Sequence, residues 1–418
     1  MKKIKAVLIG AGSRSTAYGP YAINQPDELQ FVAVAEPDAE RRNRFADIHG
    51  IPEQLRFSDY KELLGRELLG DAAVICTHDK LHFDPAVKAL EKGYHVLLEK
   101  PMAATPSECM LLAEAAEEYD RVFSICHVLR YTDFFGTIKK LLDDGRIGKL
   151  ISIQHNENVA FWHQAHGFVR GGFRNSDESS PMILSKCCHD MDIMLWLAGD
   201  DCVRLSSFGT LSHFKPENAP VGAPARCLDG CPVEKECPYY APKQYLSVNT
   251  GWPTSAICND MSIEGRTKAL REGPYGRCVY HCDNNVVDHQ VVNLEFANEV
   301  TAAFTMCAFT YECNRTIKLM GTKGEIRGSM LKNEIEIHNF TGEHEIINLQ
   351  QSQYGHGGGD FGLMRDFLRL VQGDGEAEGL TSVKKSVQSH IMSFAAEKAR
   401  LEGTVINIKE YIESVKNN

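Results

Sequence analysis

The chain has 418 residues, of which 43% are hydrophobic and 24% charged, a balance that predicts two globular domains with ordinary cores. Its net charge of −11 comes without any basic block, which argues against a nucleic-acid partner. No apolar run approaches a membrane span. The short run at residues 6–9 is too brief for a signal-peptide core, so the expectation is a cytoplasmic protein without a membrane partner.

Residues 1–125 alternate short apolar runs with helical patterns. IKAVLIG, FVAVAEP, AAVICT, HVLLEKP and VFSICH read as strands, and DPAVKALEKG and PSECMLLAEAAEEY as helices between them. Strands that alternate with helices imply a parallel sheet with right-handed crossovers, so this part is predicted to be an α/β Rossmann domain. Residues 126–418 change character. KLISIQHNENV, VVNLEFANEVTAAFTMCAF, RTIKLMGTKGEIRGSM and NEIEIHNF read as strands separated by turn signals. HDMDIMLWLAG, DFGLMRDFLRLVQG and the C-terminus read as helices. This is an α+β pattern with an open, mostly antiparallel sheet. A Pro-, Gly- and Cys-rich stretch at about 213–285 looks like an insertion in it.

The first strand runs into Gly10, Ala11, Gly12, Ser13, Arg14 and Ser15. Glycines after a strand let the backbone turn sharply and approach a pyrophosphate at a helix N-terminus. A lone G-x-G marks a tight turn as readily as a nucleotide site. Here Glu36 ends the next strand at the expected distance. A carboxylate there accepts from ribose hydroxyls and repels a 2′-phosphate, so NAD is expected over NADP. Arg41 and Arg42 stand close enough to soften that preference. Ser15 at the third glycine is expected to loosen helix–strand packing. Thr77 and His82, just after the third predicted strand, are expected at the nicotinamide or ribose.

The fourth predicted strand ends in Glu99-Lys100-Pro101. Most lysines are solvated surface residues, but one at the carboxyl edge of a parallel sheet faces the ligand crevice. Farther on, Ser185-Lys186-Cys187-Cys188-His189-Asp190-Met191-Asp192 opens a helix. The Gly-rich start, the acidic end of the second strand, the E-K-P and the histidine opening a downstream helix together resemble the glucose–fructose oxidoreductase / inositol dehydrogenase (Gfo/Idh/MocA) family, over nearly the whole chain except the cysteine-rich stretch. The resemblance implies hydride transfer at a sugar or cyclitol carbon, and a C-terminal sheet used for oligomerisation as a homodimer or homotetramer. It also implies that Lys100 holds the reacting hydroxyl and that His189 is its acid–base. Alone, His189 reads more naturally as a capping or core histidine. The family often has an aspartate four residues before this histidine, where Ser185 stands here. Lys186 is therefore a candidate for part of the proton relay. Asp192 is expected to stabilise the helix start.

Sugars stack on aromatic rings and take hydrogen bonds from Arg and His. Trp162, His166, Arg170 and Arg174, in a segment dense in such groups, are candidates for the substrate wall, and an interface or loop cluster is an equal reading. Arg130 is a further candidate, against a helix-surface arginine. His356 and Asp360 flank three glycines before a helix and either reach the site or cap that helix.

Fourteen cysteines is a high count. Several read as lone buried thiols. Cys227, Cys231, Cys237, Cys258, Cys278 and Cys282 crowd the insertion, and close spacing in a cytosolic chain suggests a metal before disulfides. The preferred ligands are Cys227, Cys231, Cys237 and Cys278 for zinc or an iron–sulfur cluster, with Cys282 as substitute. Reduced thiols in an irregular loop are the plainer reading.

The expected function is thus NAD-dependent oxidation or reduction of a small carbohydrate or cyclitol. A glycoside hydrolase with tightly bound NAD in a redox-neutral oxidation–elimination–hydration–reduction cycle is the alternative. A non-catalytic NAD-sensing regulator is the third reading, and Lys100 together with His189 argues against it.

Overall fold

A computed structural model describes residues 3–352, 355–373 and 379–417. Six parallel strands form the first sheet: β1 (Ile4–Ile9), β2 (Leu29–Ala35), β3 (Arg56–Phe57), β4 (Ala72–Ile75), β5 (His95–Leu98) and β6 (Phe123–Ile125). Their order, β3-β2-β1-β4-β5-β6, is doubly wound, with the switch point between β1 and β4, where ligands bind in such sheets. The runs are apolar because both faces are covered by helices; every residue of β4 is buried. Strand β3 escapes a reading by periodicity because it has only two residues. The strand leading into E-K-P is therefore β5.

The second sheet has nine strands. They are β7 (Leu150–Asn158), β8 (Cys202–Thr210), β9 (His289–Phe296), β10 (Thr301–Cys307), β11 (Asn314–Gly321), β12 (Gly324–Ser329), β13 (Glu334–Asn339), β14 (His344–Asn348) and β15 (Ile406–Asn407). Only β7 and β10 pair in parallel; the other neighbours are antiparallel. Strands β8, β14 and β15 were not expected from the sequence. Each is weak in alternation: β14 has no buried residue, and β8 exposes polar groups among few apolar ones. One face of the sheet packs on the helices Asp133–Asp143, Cys188–Ala198 and Val383–Glu402 through a core that includes Phe135, Met191, Phe304 and Ile391. Among the described residues the other face is uncovered, with Phe208 and Val291 exposed on it.

The chain does not divide at one cut. Helix Gly359–Val371 returns to the first domain and buries Leu363, Met364 and Phe367 against Tyr18, Tyr21 and Val128. Next to it, Thr381 accepts a backbone hydrogen bond from Ile125 at 2.9 Å. The stretch 213–285 is more ordered than expected, with helices Ala241–Tyr245 and Ile263–Glu272. It also has a small core of Cys227, Ala241, Tyr245 and Leu270.

Candidate active site

The loop after β1 is shaped by Gly10, whose φ is +91° and where a Cβ would lie 2.7 Å from the Cys76 carbonyl. Any side chain there would collide with the end of β4, so the loop can lie this close only as glycine. Helix Ser15–Asn24 begins directly after it. Ser15 does not loosen the packing: it is buried, and its hydroxyl donates to the Gly12 carbonyl at 2.6 Å. The Ser13 carbonyl accepts from Thr16 at 2.6 Å. Buried Glu36 points back to the loop and accepts from the Ala11 N–H at 2.8 Å. Arg42 is committed to the Glu36 carbonyl at 2.6 Å, so it holds the strand end. Arg41 reaches over Gly12. A glycine-cradled loop, a helix N-terminus and a carboxylate beside them fit an adenine dinucleotide.

Arg14 is bound to Glu99 at 2.5 Å, Tyr18 at 2.7 Å and Asp360 at 2.7 Å. Tyr18 also donates to Glu99 at 2.5 Å. Burial opposes the charge on Glu99, but the Arg14 guanidinium and the two donors outweigh it and hold its pKa below the usual value. The carboxyl of Asp360 is brought down to about 2: burial opposes the charge, and His356 and Arg14 outweigh it. Arg14 and Glu99 thus lock the loop to the end of β5, and their side chains are already occupied. His82 is buried, with its ring nitrogens on the carbonyls of Pro101 at 2.6 Å and Thr77 at 3.0 Å. It ties β4 to the turn after β5 and does not present a free edge to a ligand. Thr77 donates to Leu81 at 2.9 Å.

Lys100 follows β5 and crosses the crevice, donating to the Ser185 carbonyl at 2.7 Å. His189 is the second residue of helix Cys188–Ala198. It is 7% exposed, and its Nδ1 has no protein partner. Burial, then the charge of Lys100 and the neighbouring His127, push its pKa well below the usual value, which favours the neutral ring. The rings of His127 and His356 lie 5.8 Å and 6.5 Å from it. Lys186 faces the buried Glu157 at 3.4 Å, which also pairs with Arg315 at 2.6 Å. Arg315 continues to Asp190 at 2.8 Å, and Asp190 to His155 at 2.8 Å. Lys186 therefore joins a buried charge network beneath the helix start. Lys100 and Lys186 both bear on His163, whose pKa is lowered mainly by burial.

The expected substrate wall divides. Trp162 stacks on His163 with ring centroids 5.6 Å apart and meets Trp252 of the insertion edge-on at 5.5 Å. Trp252 also meets His163 edge-on at 5.0 Å, the histidine that feels the charge of both lysines. His166 meets Trp252 edge-on at 5.7 Å and is bonded to Tyr245 at 2.9 Å and stacked on Tyr275. Arg170 is fully buried and bonded to the carbonyls of Tyr239 and Arg277 at 2.6 Å and 2.7 Å. Arg174 forms a bidentate pair with Asp283 at 2.8 Å. Gln164–Arg170 is a π-helix, so its side chains do not keep the spacing of an α-helix. Arg130 is buried in a bidentate pair with Asp192, 2.7 Å on both arms. Both are buried, and Asp192 is a partner of Arg130 before it is a helix-dipole anion. His127, His163, Glu157, Arg315 and Trp252 were not singled out from the sequence, because no local motif marks residues that meet only through the fold.

Residues 4–127 match the oxidoreductase family, NAD-binding Rossmann fold, and residues 139–381 its C-terminal alpha/beta domain. The chain belongs to the Gfo/Idh/MocA oxidoreductase family and carries its NAD-binding domain. Among its relatives is a putative oxidoreductase, YteT, of Bacillus subtilis, 23% identical over 88% of this chain and 89% of that protein. Inositol 2-dehydrogenase of Salmonella typhimurium is 26% identical over 47% of this chain and 55% of the relative. A 2,7-anhydro-N-acetylneuraminate hydratase of Mediterraneibacter gnavus is 26% identical over 48% and 50%. The chain thus spans about half the length of the latter two. In fold it is similar to scyllo-inositol dehydrogenase of Lactobacillus casei, solved with NAD(H) and scyllo-inositol. That match has a TM-score of 0.67 at 16% identity and covers 98% of this chain and 100% of the other.

Proposed function

We propose that this protein oxidises or reduces a hydroxyl-bearing carbon of a sugar, sugar derivative or cyclitol. The observation that carries the reading is the approach of Lys100 to the Ser185 carbonyl at 2.7 Å beside the buried, unpartnered Nδ1 of His189. Bound NAD supplies the hydride acceptor or donor. An alcohol oxygen seated between the two side chains receives a hydrogen bond from the Lys100 ammonium, which stabilises negative charge on it. Neutral His189 takes its proton in oxidation, and the imidazolium so formed returns it in reduction. Gly10, Gly12, Ser13 and Arg14 form the loop for the pyrophosphate, with Thr77 beside it. Glu36 meets the ribose hydroxyls in place of the Ala11 N–H and disfavours the 2′-phosphate of NADP. Trp162 and Trp252 offer an apolar face for the C–H side of a ring. Lys186, neutralised by Glu157, holds a substrate hydroxyl or carboxylate from the other side.

The relatives named for inositol oxidation support a cyclitol or sugar. The hydratase relative, together with Ser185 at the family's aspartate position, supports a second reading. In it the hydride removed at one carbon is returned after a glycosidic bond has been cleaved and water added. Purified protein incubated with NAD and a panel of cyclitols, sugars and aryl glycosides distinguishes the two, if NADH and released aglycone are followed together. NADH accumulation is expected. Aglycone release without NADH transfers the assignment to the hydrolytic cycle, and neither signal from a protein that binds NAD overturns both.

For the working form we propose a cytoplasmic homodimer or homotetramer joined through the open face of the second sheet. Phe208 and Val291 are register partners on that face and are 64% and 37% exposed. No described helix is long and apolar enough to cross a membrane, and the acidic balance disfavours nucleic acid.

A further inference from the structure

The insertion brings Cys227, Cys231 and Cys237 together with the distant Cys278 at one apolar cavity. Residues 226 and 277 form an antiparallel bridge. The Cys227 N–H donates to Gly276 at 2.9 Å, and the Cys278 N–H to Ala225 at 2.9 Å, so the two cysteines stand on paired backbone segments. A tight turn then folds Cys231 and Cys237 over them, with Glu234 N–H on the Cys231 carbonyl and Cys237 N–H on the Val233 carbonyl. All four line the same cavity with Arg170 and Tyr239. Cys282 does not; its thiol donates to the Cys278 carbonyl. Cys258 is likewise elsewhere, on the Asp260 carbonyl. All fourteen cysteines are free.

A second observation points to a ligand. Arg170 is 0% exposed. Its Nη2 lies 3.6 Å from the Cys227 sulfur, and its Nη1 has no partner. A buried, underbonded guanidinium against neutral thiols is costly. Against thiolates it is a counter-charge and a donor.

We propose that Cys227, Cys231, Cys237 and Cys278 bind one thiophilic metal centre through four thiolates, with Arg170 offsetting its negative charge. Binding displaces the thiol protons to solvent. A zinc ion and an iron–sulfur cluster share this ligand chemistry. Four sulfurs around one zinc at about 2.3 Å each would stand roughly 4 Å apart. Among the described residues no three of these sulfurs lie within 4.8 Å of one another, so the four are not preset at zinc spacing. The centre staples the insertion to the end of the π-helix, because Arg170 is also held by Tyr239 and Arg277. It thereby sets how the insertion presents Trp252 to Trp162.

The test is metal analysis of full-length protein purified without oxygen, with acid-labile sulfide and the visible spectrum read in parallel. Iron with matching sulfide and a broad visible band, or about one zinc per chain without colour, each supports the centre and says which it is. Cys231→Ser should lose the metal, and Cys258→Ser should keep it. If Cys231→Ser does not fold, thiol titration of the native protein replaces it, with four thiols expected to react only after chelation or acid. Metal-free folded protein, disulfides among these four, or unchanged metal in folded Cys231→Ser would overturn the proposal.

Discussion

The Lys100 ammonium donates to the backbone carbonyl of Ser185 at 2.7 Å, where the family often offers an aspartate side chain. A carbonyl orients the lysine without neutralising it, so the lysine's full positive charge faces the crevice and the adjoining His189.

Lys100→Ala and His189→Ala should each lower turnover by roughly a hundredfold or more, the scale of a positioned acid–base group. His189→Ala should leave NAD affinity nearly unchanged, since it lies off the Gly10 loop. Steady-state kinetics and calorimetry on folded variants check this; normal turnover in both rules the mechanism out. Lys186→Ala should raise KM more than it lowers kcat, and if it alone abolished turnover the relay would move to Lys186.

Glu36→Ala should narrow the gap between NAD and NADP affinity, because it removes the carboxylate that repels the extra phosphate. Calorimetric titration of both dinucleotides measures it. Equal affinities in the unaltered protein would sink the argument. Arg41, which reaches over Gly12, is the residue whose removal should then weaken NADP further.

Asp192→Asn should destabilise the fold by about 3 kcal/mol, because it leaves the Arg130 guanidinium buried without its counter-ion. Both side chains are at most 5% exposed, so solvent does little to screen the loss. Denaturant unfolding reads it. A loss of substrate affinity at unchanged stability would instead return Arg130 to the substrate wall.

Stability should fall as pH drops below about 6.5. Burial lowers His127 and His166 to about 4 and His390 to about 3. Their folded pKa values are thus below the unfolded value. Between the two, the unfolded chain binds more protons, so stability present above the unfolded pKa is lost as pH falls toward the folded one. Each such histidine contributes about 1.4 kcal/mol per pH unit in that window. Thermal unfolding across pH 4–7 should be steeper for the unaltered protein than for His127→Asn; equal slopes would remove His127 from the set.

The Rossmann half was legible from sequence because its signals are local. Apolar runs, Gly10 before a helix, Glu36 at a strand end and Lys100 before Pro101 each declare themselves within a few residues. The histidine opening a helix was legible in the same way. The sequence also grouped the insertion's cysteines and preferred four of them, but only the fold leads Cys227, Cys231, Cys237 and Cys278 into one cavity and leaves Cys282 outside. Other assignments depended wholly on tertiary structure. Arg130 and Asp192 are 62 residues apart, and Arg14 and Asp360 are 346 apart. A cationic side chain in a segment rich in aromatics looks the same whether it faces a sugar or a buried carbonyl. Burial and partner decide which, as they do for Arg170, and both arise only when distant segments pack.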